Sequence, residues 1–201
     1  MDRLIEGYRR FRKEVWPAQR ARYEELSELG QSPETMVIAC SDSRVDPATV
    51  FSAGPGQLFM VRSVAGLIPA YAPDMSLHGT SAALEYGVRV LKVKRVVLLG
   101  HAQCGGVRAL LDGPQEATDF VPQWIEIAQP ALRRAREAAP GEDILARCEV
   151  EVLKLSLANL NTFPWIGEAV KSGRLQLAGF HFGIQSGVLA KLEGDKLVPV
   201  T

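Results

Sequence analysis

The chain has 201 residues, 47% of them hydrophobic, so it is long enough for one ordinary domain with a buried core. Lysine and arginine total 23, as do aspartate and glutamate, and the formal net charge of zero argues against the strongly basic surface of a nucleic-acid-binding protein. The opening residues MDRLIEGYRRF contain no long apolar stretch, so we expect neither a signal peptide nor a transmembrane segment, and no membrane partner.

Residues 2–29 are predicted to be helical, and Pro17 should kink this helix or start a second one. Apolar residues recur along one face at four-three-four spacing: Leu4, Tyr8, Phe11 and Val15. The segment is also basic, and a basic amphipathic helix can bind a membrane surface. Interleaved acidic residues favour the other interpretation, an arm packed on the body of the protein or on a second subunit.

The rest of the chain alternates between strand and helix patterns. Strands are predicted at 34–40, 56–63, 94–100 and 174–184, with a hairpin at 187–200. Helices are predicted at 46–54, 76–93, 105–113, 121–139 and 143–161, the first with Asp46 as its cap and Pro47 in its first turn. This alternation predicts an α/β fold: a central, mostly parallel β-sheet flanked by helices, with an N-terminal helical arm.

The three cysteines are Cys40, Cys104 and Cys148. An odd number in a chain without an apparent export signal argues against a disulfide framework and favours thiolate chemistry in a reducing cytoplasm. Cys148 lies within the predicted helix 143–161, and a free cysteine in that position is most often a small buried hydrophobic residue.

Two predicted strands end in residues that bind zinc in many proteins. The first ends at Cys40, and the third is followed by His101 and Cys104. Ligands of such sheets bind beyond the carboxyl ends of the strands, so neighbouring strands would bring these three side chains together. A Cys-His-Cys set suits Zn²⁺ and leaves the fourth position for water or substrate, as in catalytic sites.

The residues beside the three candidate ligands support a reactive site. Gly105 and Gly106 open a helix directly after Cys104, where free backbone N–H groups would stabilise a thiolate. Asp42 and Arg44 follow Cys40 in a short turn, where they can pair and keep the aspartate ionised. Such an aspartate either accepts a hydrogen bond from zinc-bound hydroxide or binds the zinc itself; by themselves, the two residues also fit a plain surface ion pair.

Together these motifs resemble the β-class carbonic anhydrases. CSDSRVD at 40–46 and HAQCGG at 101–106 are similar to the two zinc motifs of the family. Further similar stretches run from about residue 34 to about 190: GQLFMVRSVAG, HGTSAALEYGV, SLANLNTFPWI and AGFHFGIQSGVL.

The resemblance implies a Zn²⁺ cofactor held by Cys40, His101 and Cys104, with Asp42 and Arg44 as a catalytic pair. It implies one domain over residues 1–201, with an arm at 1–30 that wraps a partner subunit and a zinc-binding α/β core at 34–200. It also implies a homodimer or a higher even oligomer. The expected reaction is the reversible hydration of CO₂ to bicarbonate and a proton through zinc-bound hydroxide, with the N–H of Gly105 placed for a bicarbonate oxygen.

The sequence departs from the family at several positions. Ser63 and Gly66 stand where the family has asparagines near the wall of the active site. Val37 and Phe182 replace the tryptophan and tyrosine of a non-catalytic bicarbonate pocket found in some members, and of that pocket only Arg62 is retained.

Two other functions remain open from the sequence alone. One is hydrolysis of carbonyl sulfide or carbon disulfide at the same zinc site, and the other is a non-catalytic zinc-binding or redox protein. The remaining histidines, His78 and His181, are candidates for a proton relay, although a structural role is the more common one for such residues.

Overall fold

The computed structural model describes residues 1–74, 76–113, 118–137 and 143–201. Within these residues, six strands form one sheet. They are β1 Thr35–Cys40, β2 Leu58–Ser63, β3 Arg95–His101, β4 Gln176–Phe182, β5 Leu189–Glu193 and β6 Lys196–Pro199.

The sheet order is β2-β1-β3-β4-β5-β6. The first four strands in this order run parallel, while β5 and β6 form an antiparallel hairpin at the edge next to β4. The predicted mostly parallel sheet is therefore confirmed. Because β1 and β3 are adjacent and parallel, their carboxyl ends lie at the same edge of the sheet.

Helices follow the first three strands along the chain. The α-helices of the described residues are α1 Asp2–Arg10, α2 Trp16–Leu29, α3 Pro47–Val50, α4 Gly79–Glu85, α5 Gly105–Asp112, α6 Val121–Glu126, α7 Gln129–Glu137, α8 Ile144–Leu160 and α9 Pro164–Lys171. A π-helical turn extends α4 over Tyr86–Val90. The predicted cap of α3 is confirmed, since Asp46 accepts a hydrogen bond from the N–H of Thr49 at 2.9 Å.

Two helical predictions differ from the structure. The single helix predicted at 121–139 is divided into α6 and α7 by a turn at Ile127 and Ala128, and its last two residues lie outside the described residues. Helix α9 was not predicted; it has Pro164 in its first turn, where a missing N–H costs nothing.

The helix of the N-terminal arm is interrupted next to its proline. Pro17 cannot donate a backbone hydrogen bond, and the preceding turn, Phe11–Val15, is widened to a π-helical turn in which Trp16 donates to the carbonyl of Phe11. No residue of α1, this turn or α2 is buried.

The core lies on both faces of the sheet. On one face, Met36, Ile38 and Leu98 pack with residues from α4, α8 and α9. On the other face, Val37 and Leu99 pack with residues around α3 and β4. Across the described ranges, no helix is both long enough and apolar enough to cross a membrane.

Candidate metal centre and active site

The two parallel strand ends bring the three candidate ligands together. Cys40 ends β1, His101 ends β3, and Cys104 immediately precedes α5. Their Sγ and imidazole nitrogen atoms all lie within 4.8 Å of one another, and the two Sγ atoms are 3.9 Å apart. The ligand atoms of a tetrahedral Zn²⁺ with bonds of about 2.0–2.3 Å lie roughly 3.3–3.8 Å apart, so the sulfur spacing is close to what zinc requires.

The hydrogen bonding of His101 leaves one ring nitrogen open towards the thiols. Its Nδ1 lies 2.8 Å from the carbonyl oxygen of Ala102, and because a carbonyl only accepts, Nδ1 carries the hydrogen. The other nitrogen, Nε2, is buried and has no hydrogen-bond partner among the described residues. A buried polar atom without a partner is costly, and a lone pair on Nε2 is what a metal ion needs.

The two buried thiols lie in contact and shift each other's pKa in opposite directions. Contact with the Cys104 thiol lowers the pKa of Cys40 to about 4, against the opposing effect of burial. The same contact, together with burial, raises the pKa of Cys104. Zinc binds cysteine as the thiolate, so metal binding by both cysteines would be accompanied by release of thiol protons.

Asp42 and Arg44 form a two-point ion pair next to this cluster. The Arg44 Nε donates to Asp42 Oδ1 at 2.9 Å, and Nη2 donates to Oδ2 at 2.7 Å. These hydrogen bonds hold the pKa of the Asp42 carboxyl well below its usual range. The same Oδ2 lies 3.9 Å from Nε2 of His101, so the carboxylate stands beside the candidate metal position.

Arg44 also connects the two motifs. Its Nη2 donates to the carbonyl of Gln103 at 2.9 Å, across 59 residues of sequence. Gln103 has a φ of 57°, a left-handed conformation that a residue with a side chain adopts at a cost of order 1 kcal/mol. The turn that presents Cys104 is thus strained, and external hydrogen bonds hold it.

Arg62 has a role that the sequence did not indicate. It donates to the backbone carbonyls of Cys40, Asp42 and Val45 at 3.0, 2.6 and 2.7 Å. The guanidinium therefore holds the turn that carries Asp42 through Nε and Nη2, while its Nη1 lies 3.7 Å from Oδ1 of Asp46.

Ser63 and Gly66 lie beside and within a tight turn at Val64–Gly66. Gly66 has a φ of 61°, and a Cβ added there would lie 3.2 Å from the backbone of Ala39 and Cys40. Close packing on the end of β1 explains the glycine. The Oγ of Ser63 is buried and has no hydrogen-bond partner in the described parts of the chain.

The structure also places four other residues that the sequence analysis named. Gly105 opens α5 beside Cys104, and a Cβ added to it would meet nothing within 4 Å. His78 is bound to Asp74 at 2.7 Å, and His181 lies 3.2 Å from Glu149. Cys148 is fully buried in α8 and is not part of the three-residue cluster.

Glu149 was missed by the sequence reasoning. It is 4% exposed and accepts a hydrogen bond from the N–H of Cys104 at 3.0 Å. A signal was present, because position 149 is four residues after Leu145 and three before Val152, on the inward face of α8.

Comparison with known proteins identifies relatives of this chain. The sequence model described as carbonic anhydrase matches residues 35–189. Beta carbonic anhydrase 3 of Arabidopsis thaliana is 32% identical over 97% of this chain and 78% of its own length. The structure of the β-carbonic anhydrase CcaA superposes with a TM-score of 0.93 at 32% identity, covering 100% of this chain and 99% of that one. A tetrameric β-carbonic anhydrase of Sordaria macrospora gives a TM-score of 0.76 at 26% identity, with 94% and 96% coverage.

Proposed function

The chain belongs to the β-class carbonic anhydrases, and from that premise we propose that it hydrates CO₂ reversibly to bicarbonate and a proton, with Zn²⁺ held by Cys40, His101 and Cys104. The observation that carries the zinc assignment is the convergence of these three ligand atoms within 4.8 Å. The Nε2 of His101 supports it, because this buried atom has no hydrogen-bond partner among the described residues.

The donor set fits the metal in chemistry as well as in spacing. Two thiolates and one imidazole form a borderline-soft set, and three protein ligands are typical of catalytic rather than structural zinc sites. Zn²⁺ held there would lower the pKa of a water molecule to about 7 and so provide a nucleophile for CO₂ near neutral pH.

The residues around the cluster take defined roles in this proposal. Asp42 Oδ2 accepts a hydrogen bond from the attacking oxygen and so directs its lone pair to CO₂. Arg44 keeps Asp42 ionised and turned away from direct ligation, through the two hydrogen bonds that it donates. The N–H of Gly105, at the open start of α5, donates to an oxygen of the bicarbonate as it forms.

We include self-association in the proposal. The single domain over 1–201 would use its arm at 1–30 to wrap a second copy, and the core at 34–200 would hold the site. The three unbridged cysteines support a reducing compartment such as the cytoplasm.

Zinc content and CO₂ hydration, measured on the same samples, test the assignment. The wild-type protein should hold about one Zn²⁺ per chain. Cys104→Ser should lose both metal and stopped-flow hydration activity. The matched control is Cys148→Ala, which removes the third buried thiol and should keep both.

Two results would contradict this proposal. Loss of zinc in Cys148→Ala at unchanged fold would show that the ligand set is wrong. If the zinc-loaded protein turns over carbonyl sulfide or carbon disulfide faster than CO₂, the substrate is the sulfur compound and the protein is a hydrolase.

A further inference from the structure

Glu149 is an acidic residue in a place where acidic residues are rarely found. It lies within the helix α8, and its side chain is 3% exposed. A buried carboxylate is stable only where hydrogen bonds or charges compensate for the lost water. The contacts of its two oxygens therefore indicate why the protein keeps it.

Both oxygens of Glu149 are used, and they join three elements. Oε1 accepts the backbone N–H of Cys104 at 3.0 Å, at the start of α5. Oε2 lies 3.2 Å from Nε2 of His181 on β4, and because a carboxylate accepts, the histidine N–H is the donor. Glu149 thus ties α8 and β4 to the turn that presents a candidate metal ligand.

The peptide group between Gln103 and Cys104 is held from both sides. Its carbonyl accepts from the Arg44 guanidinium at 2.9 Å, and its N–H donates to the Glu149 carboxylate at 3.0 Å. A cation and an anion thus fix one peptide plane, and this plane follows the strained φ of Gln103. Without the carboxylate, the strain would favour rotation of the turn and with it of the Cys104 side chain.

The carboxylate also borders the candidate metal centre directly. Glu149, His101, Cys104 and Ser156 line a cavity of about 20 Å³, room for about one water molecule. Glu149 and two of the candidate ligands therefore line the same small cavity.

We propose that Glu149 is a positioning residue of the metal centre: by holding the Cys104 amide, it fixes the Cys104 sulfur where it binds Zn²⁺. The inference rests on the proposed zinc site. Partners that orient metal ligands are worth about 10–100-fold in metal affinity. We expect an effect of that size, seen in binding of the metal itself and independent of turnover.

The experiment compares variants of α8 in the full chain by competition for Zn²⁺ with a chromophoric chelator. Glu149→Leu keeps the bulk of the side chain but removes the acceptor, and it should raise the dissociation constant for Zn²⁺ about 10–100-fold. Glu149→Gln retains an acceptor oxygen without charge. Its dissociation constant for Zn²⁺ should therefore lie between those of wild type and Glu149→Leu, about threefold or more above wild type. In the Co²⁺-substituted protein, the thiolate-to-cobalt absorption should change in the same order.

Ser156→Ala is the matched control. Ser156 is a buried polar residue seven positions further along the same face of α8, it lines the same cavity, and its Oγ accepts the N–H of Ile68 at 3.4 Å. We expect the Zn²⁺ affinity of Ser156→Ala to stay close to that of wild type, even where the substitution destabilises the fold.

Equal metal affinity in Glu149→Leu and Ser156→Ala would overturn the inference while leaving the proposed function intact. If Glu149→Leu does not fold, a wild-type dissociation constant in Glu149→Gln overturns it in the same way. A wild-type protein that binds no Zn²⁺ would overturn both the inference and the proposed function.

Discussion

At the scale of single residues, the Asp42–Arg44 pair decides the charge beside the metal position. The Arg44 hydrogen bonds lower the pKa of Asp42, and burial opposes them only in part. Because the pKa in the folded protein lies below the unfolded value of about 3.9, the pair stabilises the fold above that pH. This contribution is lost as the pH falls through the lower pKa of the folded state.

Arg44→Ala is expected to reduce CO₂ hydration by about 100-fold, since Asp42 loses the contacts that aim it, while zinc stays bound. The variant also lacks the main cause of the low Asp42 pKa, so this carboxyl should protonate at a higher pH than in wild type. Even the ordinary aspartate pKa of about 3.9 lies well below the acid limb that zinc-bound water would set near pH 7, so the limb itself should stay in place. Stopped-flow rates across pH, with zinc content measured in parallel, check both effects.

Arg108→Ala provides the control for a lost guanidinium in the same region. Arg108 lies on α5 and contacts the side chain of Gln103 at 3.3 Å. Its loss should change the hydration rate by less than about twofold and should leave the acid limb of the pH–rate profile at the same pH. A near-normal rate in Arg44→Ala would show that the Asp42–Arg44 pair is only a contact within the loop.

The sequence indicated these site residues because short spacings and strand ends determine where they lie. Cys40, Asp42 and Arg44 are close in sequence, and the strand-end rule joins them to His101 and Cys104. Glu149 and Arg62 were missed because their contacts depend on how distant elements pack. Glu149 lies 45 residues from Cys104, and no local pattern states which helix will face the start of α5.

At the scale of elements, the start of α5 is set against the turn at Val64–Gly66. A Cβ added to Gly106 would lie 2.9 Å from side-chain atoms of Val64 and Ala65. The turn itself is fixed, since the indole N–H of Trp124 donates to the carbonyl of Val64 at 2.8 Å. The helix can approach this closely only with glycine at position 106.

Gly106→Ala should lower the free energy of unfolding by about 1–3 kcal/mol, because neither the turn nor the helix can move freely to admit the methyl group. Gly105→Ala is the matched control: the added methyl group meets nothing within 4 Å, so stability should stay equal or rise slightly. Urea unfolding at one protein concentration compares the two. Equal stabilities would show that the turn yields to the methyl group.

At the scale of the whole molecule, the sequence predicted the strands of the sheet better than the helices that flank it. Continuous apolar runs predicted the four parallel strands, whereas the order β2-β1-β3-β4 depends on crossover connections that periodicity does not specify. Helix α9 was missed because Pro164, its first residue, was not recognised as the start of a helix. The arm was predicted as a helix that Pro17 kinks or that gives way to a second helix there, and in the structure α2 begins at Trp16 with Pro17 in its first turn.

The arm carries apolar surface that the single chain leaves exposed. The exposed fractions of Leu4 and Tyr8 are 73% and 60%, and both lie on the apolar face of α1. Farther along, Phe11, Trp16 and Tyr23 pack on one another, and α2 touches the core, where Arg22 donates to the carbonyl of Pro55. The described contacts of the arm thus involve the turn at Phe11–Val15 and α2, while no residue of α1 is buried.

We therefore expect α1 to pack on a second copy of the chain. Deleting residues 1–28 should release monomers or give insoluble protein.

The double change Leu4→Glu and Tyr8→Glu should raise the dimer dissociation constant by at least about 100-fold, since burial of each large apolar side chain contributes about 1.5–3 kcal/mol. Arg10→Glu, a charge change at an exposed position on the opposite face of α1, should leave the dimer intact. Sedimentation equilibrium over a range of concentrations measures all of these, and a stable, fully active monomer after the deletion would show that the arm serves no partner.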